Sequence, residues 1–311
     1  MPVPDAPVQP SGVRAATSIA GAPAGRTRSN IEVVLITKNE EKNLPHALAS
    51  VSWADAVHVV DSGSTDATRD LARAAGANVA ERSWLGYARQ KNWALDHLPL
   101  KADWVFILDA DEVILPELRD ELLRIARKPP GQVPEAGYYV NRYFIFLGKR
   151  IRHCGYYPSW NLRFFKRGRA RYEEREVHEH MIVDGATGYL KGHMEHNDRR
   201  GLEVYMDKHN TYSTLEAREV VRSRREASGP KGTVDAKLFG DAIQRRRWIK
   251  HYVYPRLPAR WVFRFLYMYV LRLGILDGMT GLRFCLFIAA YDFLIQLKIR
   301  EFLMEEREAA R

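Results

Sequence analysis

Three carboxylates follow a run of five apolar residues, Trp104–Leu108, in the segment WVFILDADE. Asp109 and Asp111 are two positions apart, so in an extended segment their side chains point the same way, and Glu112 follows at once. Two negative charges that close together need a cation to neutralise them. Because carboxylate oxygens favour hard divalent ions, we predict Mg²⁺ or Mn²⁺ here. The alternative is a solvated strand end at which Glu112 begins the next loop or helix.

A second polar segment, VVDSGSTDAT, offers another acidic strand end. Asp61 closes an apolar run, Gly63 permits a tight turn, and Ser64 or Thr65 can cap the helix that follows. A plain capped turn would account for the glycine and the hydroxyls without any ligand. It would not account for Asp61 and Asp66 on either side of the turn, so we interpret the segment as part of a binding site.

Short apolar runs alternate with helical stretches between residues 31 and 127. Strands are predicted at 31–37, 55–61, 77–82 and 104–109, and helices at 38–51, 65–77, 86–98 and 115–127. We expect the third of these helices to face the core with Tyr87, Trp93, Ala94 and Leu98. The alternation is typical of an α/β fold with a mostly parallel sheet flanked by helices. Ligands bind at the carboxyl ends of such strands, where the polar segments fall.

In this order and spacing, VVLITKNEEKNL, VVDSGSTDAT, ARQKNWAL and ILDADE resemble the nucleotide-sugar-binding half of inverting family-2 glycosyltransferases, over residues 31–125. The resemblance implies the Rossmann-like GT-A fold. It assigns contacts with the nucleotide sugar to Thr37, Asn39, Glu40, Asp61, Asp66, Lys91, Asp109 and Arg163. Asp111 would bind the metal, with Asp109 on the ribose or a metal-bound water, and His196 falls where such enzymes place a histidine near the metal. A surface-loop histidine is the alternative for His196.

LRFFKR, VHEHMIVDGATGYL, HMEHNDRRGLEVYMDKHNTYSTLEA and RFLYMYVLRLGILDGMTGLRF resemble the bacterial lipopolysaccharide-core β-1,4-glucosyltransferase branch of this family. The resemblance implies that Glu179 is the catalytic base, which takes the proton of the acceptor hydroxyl. Many family members carry Glu-Asp there, whereas this chain has His178-Glu179, so Glu176 and Asp184 remain alternatives. A further contact with anionic groups of donor or acceptor is expected from Lys208.

The implied reaction moves one sugar, most simply glucose, from a UDP-sugar to a lipopolysaccharide inner-core acceptor. We expect single additions, without the Gln-x-x-Arg-Trp motif and the spanning helices that are typical of processive synthases. The alternatives are the same chemistry on another polysaccharide or lipid-linked acceptor, and a non-catalytic, membrane-bound interaction module with this fold. A nucleotidyltransferase is disfavoured because TKNEEKNL is not a Gly-rich phosphate loop.

The formal net charge of +10 indicates an anionic partner. Eight Lys or Arg residues and no acid fall between Arg245 and Arg272, interleaved with aromatic residues. We predict that this region lies in the membrane interface, with internal packing or oligomerisation as the alternative. The segment WVFRFLYMYVLRL is too apolar for an RNA-binding face, so no nucleic-acid partner is expected.

The predicted domains are a disordered tail at 1–30, a GT-A domain at 31–227 and a basic, aromatic, helical region at 228–311. The GT-A domain would consist of a nucleotide-sugar half, residues 31–125, and an acceptor half, residues 126–227. Two cysteines favour a reducing compartment, and residues 1–30 lack the apolar core of a secretory signal. No uninterrupted apolar run approaches the roughly 18–20 residues of a spanning helix. The expected location is therefore cytoplasmic, peripheral on the inner face of the bacterial inner membrane.

Overall fold

The computed structural model describes residues 28–173, 180–225 and 259–309. The chain divides into two compact units. Among the described residues, unit 1 comprises 28–110, 120–138, 162–173 and 180–188, and unit 2 comprises 111–119, 139–161, 189–225 and 259–309. The predicted domain bounds stay a prediction, and the predicted tail lies outside the described residues up to residue 27.

The elements follow one another as strands and helices in the first part of the chain. The described strands are β1 (Ile31–Thr37), β2 (Ala56–Asp61), β3 (Asn78–Glu81), β4 (Trp104–Asp109), β5 (Glu112–Ile114), β6 (Glu135–Phe146), β7 (Lys149–Ile151), β8 (Trp160–Lys166), β9 (Ala170–Tyr172), β10 (Met181–Val183) and β11 (Ala186–His196). The described helices are α1 (Leu44–Ser50), α2 (Thr68–Ala74), α3 (Tyr87–His97), α4 (Pro116–Ala126), α5 (Leu202–Arg225), α6 (Arg260–Leu266) and α7 (Gly278–Ala309). Short turns of 3-10 helix lie at Pro130–Gln132 and Gly274–Asp277, and a π-helical turn lies at Tyr267–Leu271.

The sheet of unit 1 is built around β1, which pairs in parallel with β2 on one side and β4 on the other. β3 extends the parallel sheet beyond β2, and β8 pairs antiparallel with β4. β1 and β4 are buried almost throughout, because helices cover both faces of such a sheet. The predicted α/β fold with a mostly parallel sheet is confirmed.

The core of unit 1 is packed with aromatic side chains from the antiparallel pair. Trp104 is fully buried and stacks on Phe164 with ring centroids 4.6 Å apart. The ring centroid of Phe106 lies 6.4 Å from that of Phe164. Burying an aromatic side chain of this size contributes about 1.5–3 kcal/mol. The cluster therefore anchors β4, whose last residue is Asp109.

Helix α3 does not face the core in the expected way. The residues that it buries are Ala88, Gln90, Lys91, Asn92 and Ala94. Tyr87, predicted for the core, is 40% exposed. The prediction from apolar spacing is wrong for Tyr87 because this helix buries polar side chains that bond to several neighbouring elements.

Two local predictions at the strand ends are also wrong. Glu112 does not begin a loop or a helix but opens β5, where it is fully buried opposite His196 of β11. Neither Ser64 nor Thr65 caps α2, because the backbone N–H of Thr68 donates to the carboxylate of Asp66 instead.

Unit 2 combines antiparallel strands with long helices. β5 pairs antiparallel with the end of β11, and an added Cβ at Gly192 would collide with the backbone of Leu118 in α4. Glycine is therefore required where β11 passes α4. Helices α5 and α7 pack through a cluster of Ala217, Val221, Ile295 and Ile299.

The helices of the C-terminal region are apolar but interrupted. No single helix in the described ranges is long and apolar enough to cross a bilayer. The pair Arg260–Leu271 and Gly274–Ala309 meets the length and composition criteria only when taken together, and it is bent by 74°.

Candidate active site

The ends of the central strands of unit 1 bring three predicted site residues into register. Thr37 of β1 lies opposite Asp61 of β2, and Ile36 lies opposite Asp109 of β4. The hydroxyl of Thr37 donates to Asp61 Oδ2 at 3.0 Å. Parallel strands end at one edge, so the sequence correctly predicted that these turns would meet.

The carboxylate of Asp61 organises the turn that follows β2. It is fully buried and accepts hydrogen bonds from the backbone N–H groups of Gly63, at 3.1 Å, and Ser64, at 2.8 Å. Gly63 has a φ of +84°, which favours glycine. The carboxylate of Asp61 thus holds the tight turn in place through these two hydrogen bonds.

The loop after β1 is tied to this turn by Asn39 and Glu40. Asn39, with a φ of +54°, donates its N–H to Ser64 Oγ at 2.9 Å and accepts the N–H of Thr65 at 2.8 Å. Glu40 donates its N–H to the hydroxyl of Thr68 at 2.8 Å. Both predicted nucleotide-binding residues therefore lie at the strand edge, where the backbone N–H groups of both and the side-chain Oδ1 of Asn39 hold two loops together.

Asp66 lies at the start of α2 and is half-buried. Burial raises the pKa of its carboxyl, but hydrogen bonds from the hydroxyl and N–H of Thr68 and the N–H of Glu41 outweigh burial and lower the pKa. These contacts explain Asp66 as a residue of the turn that precedes α2, and its contact with a nucleotide stays a prediction.

Three consecutive residues of α3 each contact a different element of unit 1. The side chain of Gln90 donates to Ser62 Oγ at 3.2 Å, and Lys91 Nζ lies 3.0 Å from Asp109 Oδ1. Asn92 bonds both backbone groups of Tyr172 at 2.9 Å. The segment ARQKNWAL, which carried part of the family resemblance, thus positions a lysine at the end of β4.

Asp109 is held between two cations. Lys91 contacts one carboxylate oxygen, and Arg163 Nη2 lies 2.5 Å from the other. Burial raises the pKa of Asp109, but the nearby Arg163 and Lys91 outweigh burial and hold it well below its usual range. Burial lowers the pKa of Lys91, and attraction to Asp109 more than compensates, so the pKa is raised. The cluster carries two positive charges and one negative charge, which leaves a net positive charge for an anionic ligand.

Asp111, in unit 2, has different neighbours. It is 6% exposed, His196 Nδ1 lies 3.3 Å from Oδ1, and Lys208 Nζ lies 4.0 Å from Oδ2. Although His196 Nδ1 is this close, it is buried and makes no hydrogen bond, because the geometry is unsuitable. A buried ring nitrogen without a partner beside a carboxylate fits a divalent metal ion, and the nitrogen favours Mn²⁺ over Mg²⁺.

In the part of the chain that the structure describes, the set of side chains that could bind a metal ion is incomplete. There, no group of three or more His, Cys, Asp or Glu side chains is placed to hold a metal ion. Asp111 and His196 are the two side chains that fit one. Since both oxygens of Asp109 contact cations, its predicted role in metal binding gains no support from these contacts and stays a prediction.

A pocket of about 340 Å³ in unit 2 contains residues that the sequence did not single out. Its lining is aromatic and polar: Arg142, Phe144, Tyr156, Ser159, His196, Asp198, Tyr205, Lys208, His209 and Tyr212. Arg142 also forms an ion pair at 3.1 Å with the buried Glu112. No sequence signal marks Arg142, because it lies within an ordinary aromatic strand.

The predicted catalytic base, Glu179, lies outside the described residues, as do Glu176 and His178. Asp184, the other alternative, lies in unit 1 after β10. Its side chain is 79% exposed and forms an ion pair with Arg169 at 2.5 Å. The assignment of the base to Glu179 stays a prediction.

The expected absence of the Gln-x-x-Arg-Trp motif is wrong. Residues 244–248 read Gln-Arg-Arg-Arg-Trp, which does match the Gln-x-x-Arg-Trp pattern expected to be missing. These residues lie outside the described ranges. Single-sugar addition therefore stays a prediction that does not rest on this motif.

The match to a family model and the named relatives identify the chain as a glycosyltransferase. The chain belongs to glycosyl transferase family 2, whose model matches residues 32–196, just over half of the chain. The expected GT-A fold is confirmed, and so is the resemblance to lipopolysaccharide core biosynthesis enzymes.

Two relatives and one solved structure are similar to the chain. The lipopolysaccharide core biosynthesis glycosyltransferase LpsC of Rhizobium meliloti is 32% identical over 62% of this chain and 72% of its own length. An uncharacterized glycosyltransferase of Rickettsia typhi is 26% identical over 89% of each chain. The mannosyltransferase PcManGT of Pyrobaculum calidifontis, solved in complex with GDP-Man and Mn²⁺, shares the fold at a TM-score of 0.50. It is 16% identical and covers 88% of this chain and 87% of its own.

Proposed function

We propose that the chain transfers a hexose, with glucose as the first candidate, from a UDP-sugar to a lipopolysaccharide inner-core acceptor, one sugar per event and with inversion. The observation that carries this proposal is the row of polar strand ends in unit 1, where Thr37 and Asp61 lie in register and Asp109 ends the neighbouring strand. The carboxyl edge of a parallel sheet is where α/β enzymes bind nucleotides. Similarity to LpsC supports the acceptor class.

The cation pair on Asp109 supports binding of the donor's phosphates. Lys91 and Arg163 are 6% and 5% exposed, so they are held in place before any ligand arrives. The planar guanidinium of Arg163 and the ammonium group of Lys91 are suited to binding phosphate oxygens, and their contacts with Asp109 hold both side chains in position. In this proposal the nucleoside lies along the loop of Asn39 and Glu40 and the turn of Asp61.

Asp111 and His196 are the proposed ligands of a divalent ion, for which Mn²⁺ is the better candidate. When bound, such an ion would stabilise the negative charge of the departing nucleoside diphosphate. The presence of Mn²⁺ with GDP-Man in PcManGT supports metal use by an enzyme of this fold. Lys208 lies 4.0 Å from Asp111 and would add its positive charge to that of the metal ion. It is proposed to attract the departing diphosphate.

Inversion requires one carboxylate to remove the proton of the acceptor hydroxyl as its oxygen attacks the anomeric carbon. The bond to the diphosphate oxygen breaks as the new glycosidic bond forms, and the proton passes to the base. We assign this base to Glu179. The aromatic pocket that contains Tyr156, Tyr205 and Tyr212 is proposed to accept a sugar ring, because such pockets combine apolar faces with a few polar groups.

The acceptor class suggests where the enzyme works. A lipid-linked core oligosaccharide lies at a membrane, and the donor is a water-soluble nucleotide sugar. The location proposed for the chain is therefore the cytoplasmic face of the inner membrane, held there by the basic, aromatic C-terminal region. The composition between Arg245 and Arg272, with eight cations and no acid, supports this location.

The donor is tested by measuring UDP or GDP release from a panel of UDP-hexoses and GDP-mannose, with purified inner-core lipid as acceptor. UDP release that depends on the acceptor is expected, with UDP-glucose giving the highest rate. Acceptor-dependent release from GDP-mannose alone would overturn the assignment of the donor. Mass spectrometry of the product gives the number of sugars added, and a ladder of products would contradict single addition.

The base is tested with Glu179→Gln, which keeps the side-chain volume and removes the proton acceptor. Transfer should fall by about 10²–10⁴-fold, while UDP-sugar affinity measured by calorimetry stays at the wild-type value. Asp184→Asn is the matched control, because this exposed carboxylate is already paired with Arg169. Loss of transfer in Asp184→Asn with normal transfer in Glu179→Gln would move the base to Asp184.

A further inference from the structure

The break between α6 and α7 exposes an unusual number of large apolar side chains. We call residues 260–283 the elbow, since its two helical arms meet at a bend of 74°. Within it, Leu271 is 74% exposed, Leu276 64% and Met279 61%. The other exposed large apolar residues of the elbow are Trp261, Phe263, Leu266, Tyr267, Val270, Leu273 and Ile275. A contiguous group of exposed apolar side chains of this size is typical of a surface that binds a membrane or another protein.

The charges of the elbow are distributed unequally between its surface and its interior. Arg272 and Arg283 are exposed. Asp277, the single acid between residues 260 and 283, has a side chain that is 5% exposed. The exposed surface of this fully described segment is therefore apolar and cationic, without an exposed carboxylate.

Asp277 is turned inward by contacts with the segment that follows β7. Its carboxylate accepts the backbone N–H of His153 at 2.9 Å and lies 2.8 Å from the ring Nδ1 of the same residue. Next to it, Cys154 and Cys285 belong to a buried cluster with Met268 and Phe284. These contacts fix the base of the elbow, so its exposed apolar side chains are held on a rigid support.

The first arm of the elbow is too short to cross a bilayer by itself. At 1.5 Å per residue, the arm Arg260–Leu271 is about 18 Å long, against about 30 Å of hydrocarbon. The other arm buries Ile295 and Ile299 against α5 farther along its length. A short arm with apolar and cationic exposure fits shallow insertion, with apolar side chains below the headgroups and arginines among the phosphates.

We propose that the elbow is the membrane-binding surface of this protein and that its partner is an anionic phospholipid bilayer. The cationic exposure without exposed acid selects a bilayer over a second copy of the chain, which would bring its own arginines against this surface. The proposal rests on the membrane location proposed above and specifies which residues enter the lipid. It makes no use of the residues assigned to the donor site.

The test uses the full chain and vesicles of phosphatidylcholine with or without phosphatidylglycerol. Wild-type protein should sediment with the anionic vesicles. The double variant Leu271→Glu/Leu276→Glu should lower partitioning by about 100-fold, because two exposed apolar anchors become charged. Arg283→Gln should lower it by about fivefold, the effect of one cation near an anionic surface. Ile182→Glu is the matched control, since Ile182 is 58% exposed in β10, and it should bind like wild type.

Three outcomes would overturn the proposal. They are failure of the wild type to sediment, wild-type sedimentation of the double variant, and lipid-free dimers that the double variant dissociates. UDP release measured with detergent-dispersed acceptor tests the proposed reaction independently of membrane binding. Vesicle binding without UDP release would support the elbow as a membrane surface and contradict the proposed function. UDP release without vesicle binding would support the proposed function and contradict the elbow as a membrane surface.

Discussion

Asp109 and Asp111 are two residues apart in the chain, yet their surroundings differ. Asp109, in unit 1, contacts a cation with each oxygen, Lys91 at 3.0 Å and Arg163 at 2.5 Å. Asp111, in unit 2, lies beside a ring nitrogen of His196 that makes no hydrogen bond, and more distantly beside Lys208. The first carboxylate is neutralised by the protein, whereas the second has a neighbour able to share a metal ion. The two carboxylates of this Asp-x-Asp motif therefore have different surroundings, and metal binding is proposed for Asp111 alone.

The largest effect is expected from Asp111→Asn, which keeps the shape and removes the charge. We expect the rate of transfer and the Mn²⁺-dependent part of UDP binding to fall by about 10³-fold, since a ligand of the charge-stabilising ion is lost. Calorimetry of UDP binding with and without Mn²⁺ measures this effect.

Asp109→Asn is the comparison within the motif and should keep the dependence of UDP binding on Mn²⁺. Asp70→Asn, at a side chain that is 86% exposed, is the surface control. Equal loss of the Mn²⁺ dependence in Asp109→Asn and Asp111→Asn would break the distinction drawn between the two carboxylates.

The next effect concerns the cations on Asp109. Lys91→Met should lower UDP affinity by about 10–100-fold, because it removes one of the two buried positive charges that face the phosphates. It should also destabilise the fold, since it removes one of the two cations that contact the carboxylate of Asp109. The affinity is measured by calorimetry and the free energy of unfolding by denaturant titration.

The double variant Lys91→Met/Asp109→Asn separates binding from folding. It should recover most of the stability and little of the UDP affinity. Lys101→Met, at an exposed lysine, is the matched control. Recovery of UDP affinity in the double variant would show that Lys91 acts only by supporting the fold.

A smaller effect is expected at the Asp111 site, from the variant His196→Gln. Mn²⁺ affinity should fall by about tenfold, because one ligand is replaced by a weaker one while Asp111 remains. Raising the Mn²⁺ concentration should then restore transfer, which a purely structural defect would not allow. The exposed His97→Gln is the control, and a transfer defect in His196→Gln that Mn²⁺ does not relieve would contradict the metal assignment.

The strand edge of unit 1 was accessible to sequence reasoning for physical reasons. The strands β1 and β4 are apolar throughout because both of their faces are buried, and their polar ends are therefore conspicuous. Parallel topology then places Thr37, Asp61 and Asp109 at one edge without further information. The order of these motifs also identified the family correctly.

Other features could not be read from the sequence because tertiary contacts decide them. Helix α3 buries Gln90, Lys91 and Asn92, so its apolar spacing misplaced Tyr87. The strand β5 forms by pairing with β11, and its buried Glu112 accepts a hydrogen bond from Arg142, thirty residues away in the sequence. The exposure of Leu271 and Leu276 depends on a helix bend that hydropathy does not report. Polar burial and irregular helices are where pattern rules fail, and here they coincide with the proposed sites.

The smallest expected effect tests whether an unbonded histidine nitrogen implies a metal ligand. His58 in β2 is buried, and neither ring nitrogen makes a hydrogen bond. Burial lowers its pKa from 6.5 to about 4, although the carboxylate of Glu32 lies 3.8 Å from Nε2. Unlike His196, His58 sits in the middle of a strand, and no metal role is expected.

Because His58 stays neutral in the folded chain, the unfolded state binds its proton first as the pH falls below 6.5. Stability is therefore complete above that pH and decreases towards pH 4, by about 1.4 kcal/mol at about pH 5.5. His58→Leu should flatten this slope in denaturant titrations, and the exposed His46→Gln should keep it. If His58→Leu instead lowered Mn²⁺ affinity as His196→Gln does, an unbonded ring nitrogen would no longer distinguish the Asp111 site.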